Sequence, residues 1–253
     1  MIYIKTGKAI DYMRESSRIV AETLALLKKS AKAGMTTKEL DILAEDYVLR
    51  NEGVPAFKGY PDGSRSSFPA SVCISVNDEV VHGIPGDRVL IDGDIVSLDF
   101  GVVKHGFYGD GAVTVAIGEV DETKKLLLDV TEKSLYLGIE QAVESNRIQD
   151  ISFAVQSFVE AHGFSIVRDL CGHGVGKKLH EDPSIPNFGK KGNGPKIKTG
   201  MTLAIEPMVN AGIFQVKTKR DGWTVVTKDG SASAHFEHTI LVNGNKPEIL
   251  TVC

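Results

Sequence analysis

The sequence predicts an α+β fold of two similar halves, with antiparallel strands at the centre and amphipathic helices covering them. Three observations predict it. The run from Ile95 to Val115, IVSLDFGVVKHGFYGDGAVTV, sets two β-branched and aromatic stretches on either side of Lys104-His105-Gly106, the pattern of an antiparallel hairpin with a tight turn. Two helical pairs, each a longer segment followed by a shorter one, end at Gly53 and Gly163 and lead into strand-like sequence. Under the offset of 110 residues relating those glycines, Leu43 matches Phe153, Ala44 matches Ala154 and Val48 matches Phe158. A period this long means two related halves rather than a solenoid. The expectation is a single domain, 1–253, with halves at about 1–120 and 121–253.

Each element has its own signal. From Lys8 to about Lys32, Ile10, Met13, Val20, Leu24 and Leu27 recur mostly at three, four or seven positions, the period of an amphipathic helix that Gly34 stops. Thr36 and Glu39 have capping-box spacing, so a second helix is expected from Thr37 to about Asn51. The run GYPDGSRSSFP, 59–69, reads as an exposed loop, and a short strand follows from Ala70 to Val76. A long helix is expected from Asp121 to about Glu144 and a shorter one from Asp150 to His162. Met201 to Asn210 reads as one apolar strand interrupted by Glu206 and Pro207, and HFEHTILV as another; Asp221-Gly222 and Asp229-Gly230 mark hairpin turns between them.

Composition narrows the function classes. A chain of 253 residues, 42% hydrophobic and 25% charged, has enough length for a large core. A net charge of -4 gives no general drive toward DNA or an anionic membrane. The three cysteines, Cys73, Cys171 and Cys253, have no CxxC spacing, which suggests neither a disulfide framework nor a thiolate zinc site and fits a reducing cytoplasm. No segment approaches 18 consecutive apolar residues, so no membrane span is expected. Lysines 177, 178, 190, 191, 196 and 198 cluster in one glycine-rich stretch. They read either as a solvated loop or as a transient contact to ribosomal RNA.

The chemistry starts in the hairpin. Folded about the point between Lys104 and His105, it places Asp99 opposite Asp110 on one face. Like charges so placed destabilise a sheet unless a shared proton or a cation offsets them. The alternative is a shifted register with one aspartate solvated. Further along, Gly172-His173-Gly174 brackets a histidine with glycines that allow close backbone approach, and no helix-opening pattern follows, which excludes a dinucleotide fingerprint. Glu206 and Glu237 each stand inside an apolar strand, where an ionised carboxylate is expensive unless paired or bound to metal. Four carboxylates and one imidazole match two divalent cations, and oxygen with a single nitrogen suits Mn, Fe, Co or Zn.

The segments AGMTTKELD, ASVCISVNDEVVHGIP, DGDIVSLDFGV, GFYGDGAVT, GHGVGKKLHEDP, MTLAIEPMV and DGWTVVTKDGSASAHFEHT resemble, in order and spacing, those of the type I methionine aminopeptidases. The resemblance covers nearly the whole chain. It implies the pita-bread fold and a single catalytic domain that removes N-terminal methionine from peptides and nascent chains, preferring a small second residue. It also implies that Asp99, Asp110, His173, Glu206 and Glu237 hold two metal ions, with Glu237 bridging and Glu206 shuttling protons. His82 and His180 match histidines that act on the scissile peptide without binding metal, while Tyr60, Phe68, Cys73 and Trp223 match the surroundings of the methionine pocket. Two departures stand out: the connection between Tyr60 and Phe68 is longer, and Leu179 occupies a common phenylalanine position.

By that resemblance the metals activate a water that attacks the first peptide bond and anchor the free α-amine, which makes the enzyme an exopeptidase. A monomer is implied as well. The competing readings are a proline-specific peptidase of the same fold and a non-catalytic binding protein with a dead cleft.

Overall fold

The computed structural model describes residues 1–61 and 67–253. The expectation of a longer rim loop at 61–67 falls mainly on 62–66, outside the described residues. In chain order the helices are α1 (Lys8–Ser30), α2 (Thr37–Arg50), α3 (Glu122–Glu140) and α4 (Ile148–Ala161). The strands of the first part are β1 (Val54–Pro55), β2 (Cys73–Val76), β3 (Glu79–Val81), β4 (Ile95–Lys104) and β5 (Phe107–Ala116). Those of the second are β6 (Ser165–Ile166), β7 (Cys171–Gly174), β8 (Glu181–Pro186), β9 (Thr202–Ile205), β10 (Met208–Asn210), β11 (Val216–Thr218), β12 (Val225–Thr227), β13 (Ser233–His235), β14 (Glu237–Leu241) and β15 (Glu248–Ile249).

Local chemistry explains the helix starts. Glu39 N–H donates to Thr36 Oγ1 at 3.2 Å and Thr36 N–H donates to a Glu39 carboxylate oxygen at 2.7 Å, the reciprocal box expected for α2. Asp121 caps α3 by accepting from Lys124 N–H at 2.8 Å. Helix α4 begins two residues before the expected Asp150. That carboxylate reaches back to Arg147 N–H at 2.7 Å, which is the third-position partner of a cap rather than the cap itself.

Among the described residues nine strands form the main sheet, in the order β1-β4-β5-β14-β9-β7-β8, with β2 also on β4 and β15 on β14. Its strand pairs are antiparallel. Strand alternation gives the sheet two faces. On β4, Val96, Leu98, Phe100 and Val102 turn toward α1 and α2 and join a core with Val20, Leu27, Leu40 and Val48. Leu203, Ile205 and Ile240 of β9 and β14 join a second core with Leu127, Leu135, Ile151 and Val155 of α3 and α4. The other face is left for polar side chains.

The hairpin register differs from the expectation. Lys104 pairs with Phe107, Asp99 with Ala112 and Asp110 with Gly101, so the aspartates are diagonal rather than directly opposed. The cause is a two-residue turn whose residues, His105 and Gly106, both have positive φ, +53° and +74°, the backbone of a type I′ turn. A two-residue change preserves strand parity, so both aspartates remain on one face. The expected strand Met201 to Asn210 is two strands in different sheets, because Pro207 has no N–H to continue the ladder.

Helix α1 lies close on β5 at Gly109, where a Cβ would stand 2.7 Å from Ser17 N and 2.8 Å from Ser17 Cα. Gly109→Ala must push α1 off the sheet, so calorimetry should show a stability loss of about 1–3 kcal/mol, with Tm falling by several degrees.

Candidate functional site

One face of the sheet carries every candidate ligand, each from or beside a different strand. Cys73 of β2 pairs with Asp99, and Asp99 with Ala112, two residues from Asp110 on β5. Ala112 pairs with Glu237 on β14; Thr239 pairs with Ala204 on β9, and Ala204 with His173 on β7. Paired residues share a face, as do residues two apart, so Asp99, Asp110, Glu237 and His173 point the same way. Glu206 follows two residues after Ala204, beyond the end of β9, and Asn187 Nδ2 donates to its carbonyl at 2.9 Å. His173 sits at a register shift in the β7–β8 ladder, the kind of bulge that re-aims a side chain.

These residues line a cavity of about 390 Å³. All eleven candidate residues line it: the five above together with Tyr60, Phe68, Cys73, His82, His180 and Trp223. Among the described residues, ligand atoms of Asp110, His173 and Glu237 lie within 4.8 Å of one another. His173 Nε2 is 3.8 Å from Asp110 Oδ2 and 3.5 Å from Glu206 Oε1. Its Nδ1 is 2.9 Å from the Gly174 carbonyl oxygen. A carbonyl only accepts, so Nδ1 carries the hydrogen and Nε2 presents a lone pair to the cavity, the tautomer a metal ligand needs.

The apolar wall stands beside this floor. Phe68 and Trp223 meet edge to face, 5.3 Å between ring centroids, and Leu179 is 3% exposed in the same cluster. His82 (φ +58°) meets the Trp223 ring edge-on at 6.3 Å, and the segment after it is tied down where Ile74 N–H donates to the Gly83 carbonyl at 2.9 Å. Tyr60 Oη is 2.7 Å from His180 Nδ1.

The electrostatics call for a cation. Burial pushes Asp110 up to about 7, and burial followed by the Asp110 charge pushes Asp99 well above the carboxylate range. Burial, with the charges of Asp110 and Asp99 adding, also raises Glu206 and Glu237. Burial lowers His173 to about 3, so its ring is neutral, and the cleft walls lower His180 although part of its ring is exposed. Glu237 Oε1 is buried with no hydrogen-bond partner. Oxygen donors that repel one another, a neutral imidazole and an orphaned carboxylate oxygen fit divalent metal.

The sequence reading missed His235. It is 1% exposed, its Nε2 is 3.6 Å from Glu206 Oε2, and neither ring nitrogen has a hydrogen-bond partner. Period-two spacing from Glu237 was the available signal.

The sequence pattern described as metallopeptidase family M24 matches residues 11–244. A methionine aminopeptidase of Clostridium acetobutylicum is 52% identical over the whole of both chains. The crystal structure of a methionine aminopeptidase from Thermotoga maritima superposes with a TM-score of 0.97 at 46% identity, covering both chains completely. Prolidase from Pyrococcus furiosus shares the fold at a TM-score of 0.78 and 19% identity, this chain covering 65% of its length. The architecture is the pita-bread fold.

Asp110 fixes the sign of one pH effect. Its pKa rises from 3.8 to about 7 on folding, so the protonated carboxyl is accommodated below pH 4 and stability is lost as pH rises through 7. Without metal, wild type should therefore lose stability relative to Asp110→Asn across that window, and the rise in Tm on adding manganese should grow with pH. Scanning calorimetry at several pH values checks both.

Proposed function

Because the chain belongs to metallopeptidase family M24, we propose that it works as a metal-dependent methionine aminopeptidase acting on N-terminal Met peptides and nascent chains. The observation that carries this reading is the buried cluster of Asp110, His173 and Glu237 on the floor of an apolar-walled cavity. The proposal takes 1–253 as one catalytic unit.

Asp99, Asp110, His173, Glu206 and Glu237 would hold two divalent ions, Mn, Fe, Co or Zn. When bound, such ions supply an activated water and a Lewis acid for the peptide carbonyl. Glu206, at the edge of the cluster, takes the proton from the attacking water and passes it to the leaving amine. His180 donates to the oxygen of the reacting carbonyl, and His82 interacts with the scissile amide nitrogen. Phe68, Cys73, Leu179 and Trp223 exclude water around the methionine side chain and orient it, with Tyr60 at the rim. The Cys73 thiol is kept protonated by burial, a neutral wall rather than a nucleophile.

The partners follow from this reading. Lysines 177, 178, 190, 191, 196 and 198 are all exposed, consistent with a transient ribosome contact by a monomer in the cytoplasm. Among the described residues no helix is long and apolar enough to cross a membrane.

Metal-free protein titrated with Mn, Fe, Co and Zn should release methionine from Met-Ala-Ser and leave N-acetyl-Met-Ala-Ser and Ala-Pro-Ala intact. Cleavage of Ala-Pro-Ala instead would favour a proline-specific enzyme, and silence with every metal a binding protein. His180→Ala and His82→Ala should each lower kcat by about 10² with metal still bound. Unchanged turnover would refute those roles.

A further inference from the structure

We propose that Tyr60 is a positioning residue that acts through His180, its hydroxyl donating to Nδ1 and so fixing the ring's hydrogen on Nε2. The inference rests on the peptidase reading and deepens it, because it assigns the donor atom that faces the substrate carbonyl.

A neutral imidazole has one N–H and one lone-pair nitrogen, and a neighbour bound to one nitrogen decides the state of the other. Tyr60 Oη lies 2.7 Å from His180 Nδ1, across 120 residues of sequence. With the phenol hydrogen directed at Nδ1, that nitrogen is the acceptor, and the single ring hydrogen stands on Nε2, pointing away from Tyr60. The opposite arrangement, Nδ1–H donating to the phenol, leaves a lone pair on Nε2 that would face the substrate carbonyl oxygen and repel it. In the neutral ring, tautomer choice decides whether the donor exists.

Orientation is fixed at both ends of the contact. The Tyr60 backbone is held where its N–H donates to the Phe57 carbonyl at 2.9 Å and its carbonyl accepts from Phe68 N–H at 3.1 Å. Gly59 N–H donates to the Phe68 carbonyl at 2.9 Å, a second tie between the same two segments. The His180 ring meets Tyr60 edge-on at 5.4 Å and His173 edge-on at 4.4 Å, so it is gripped from two sides. Tyr60 thus couples the methionine-pocket wall to the group that contacts the carbonyl.

The test uses ¹⁵N-labelled, metal-free full-length protein, in which long-range ¹H–¹⁵N correlations report the His180 tautomer and loss of the signals in His180→Ala assigns them. Wild type should show the hydrogen on Nε2, and Tyr60→Phe a mixture of tautomers. With manganese and Met-Ala-Ser, Tyr60→Phe should lower kcat by about tenfold and leave KM within about twofold. Tyr60→Phe combined with His180→Ala should be no slower than His180→Ala alone, since a residue acting through His180 has nothing left to position. The hydrogen on Nδ1 in wild type, an unchanged tautomer in Tyr60→Phe, or additive losses in the double variant would each overturn the inference. The tautomer is read without turnover, so a wild type that releases no methionine counts against the peptidase reading alone.

Discussion

Four carboxylates gathered on the floor of one cavity, three of them buried and Glu206 nearly so, repel one another, and the rest of the molecule is arranged around that repulsion. Asp99, Asp110, Glu206 and Glu237 are all pushed upward by burial, and charge from Asp110 adds to the rise of the other three. Hydrogen bonds do not resolve the conflict, since Glu237 Oε1 has no partner. Either the cluster is protonated or it is neutralised by cations, and a neutral imidazole with its Nε2 lone pair turned inward supplies the nitrogen donor that a metal site needs.

Holding such a cluster requires a stiff platform, which explains the division of the sheet into two faces. Helices α1 and α2 close the back of β4, and α3 and α4 close the back of β9 and β14, so that the apolar half of each strand is consumed by packing. The polar half is therefore concentrated on the front. Because β4, β5, β14, β9 and β7 are consecutive in the sheet, Asp99, Asp110, Glu237 and His173 become neighbours through register, and Glu206 joins them from just beyond the end of β9.

Much of this was legible in the sequence, and particular residues show why. The placement of Asp99 and Asp110 on one face survived a hairpin register that was two residues wrong, because period-two alternation is insensitive to a shift of two. The turn itself was misread because Lys104-His105-Gly106 lacks the Asn-Gly or Asp-Gly pair that marks a type I′ turn, and His105 carries the positive φ instead. Glu206 and Glu237 were visible as charges in apolar strands, and all five side chains were grouped by charge and donor type, while the role of each came from the family resemblance. His235 went unseen because a single histidine in a strand is ordinarily unremarkable. The contact between Tyr60 and His180 spans 120 residues and depends on tertiary packing that no local pattern encodes.

The central claim is that Asp99, Asp110, His173, Glu206 and Glu237 together hold two divalent ions. The most direct measurement is anomalous diffraction at the manganese edge from crystals soaked in manganese. The account predicts two peaks, both within coordination distance of Asp110 or Glu237, with His173 Nε2 beside one of them. No peak among these five side chains, or one placed elsewhere in the molecule, would contradict it.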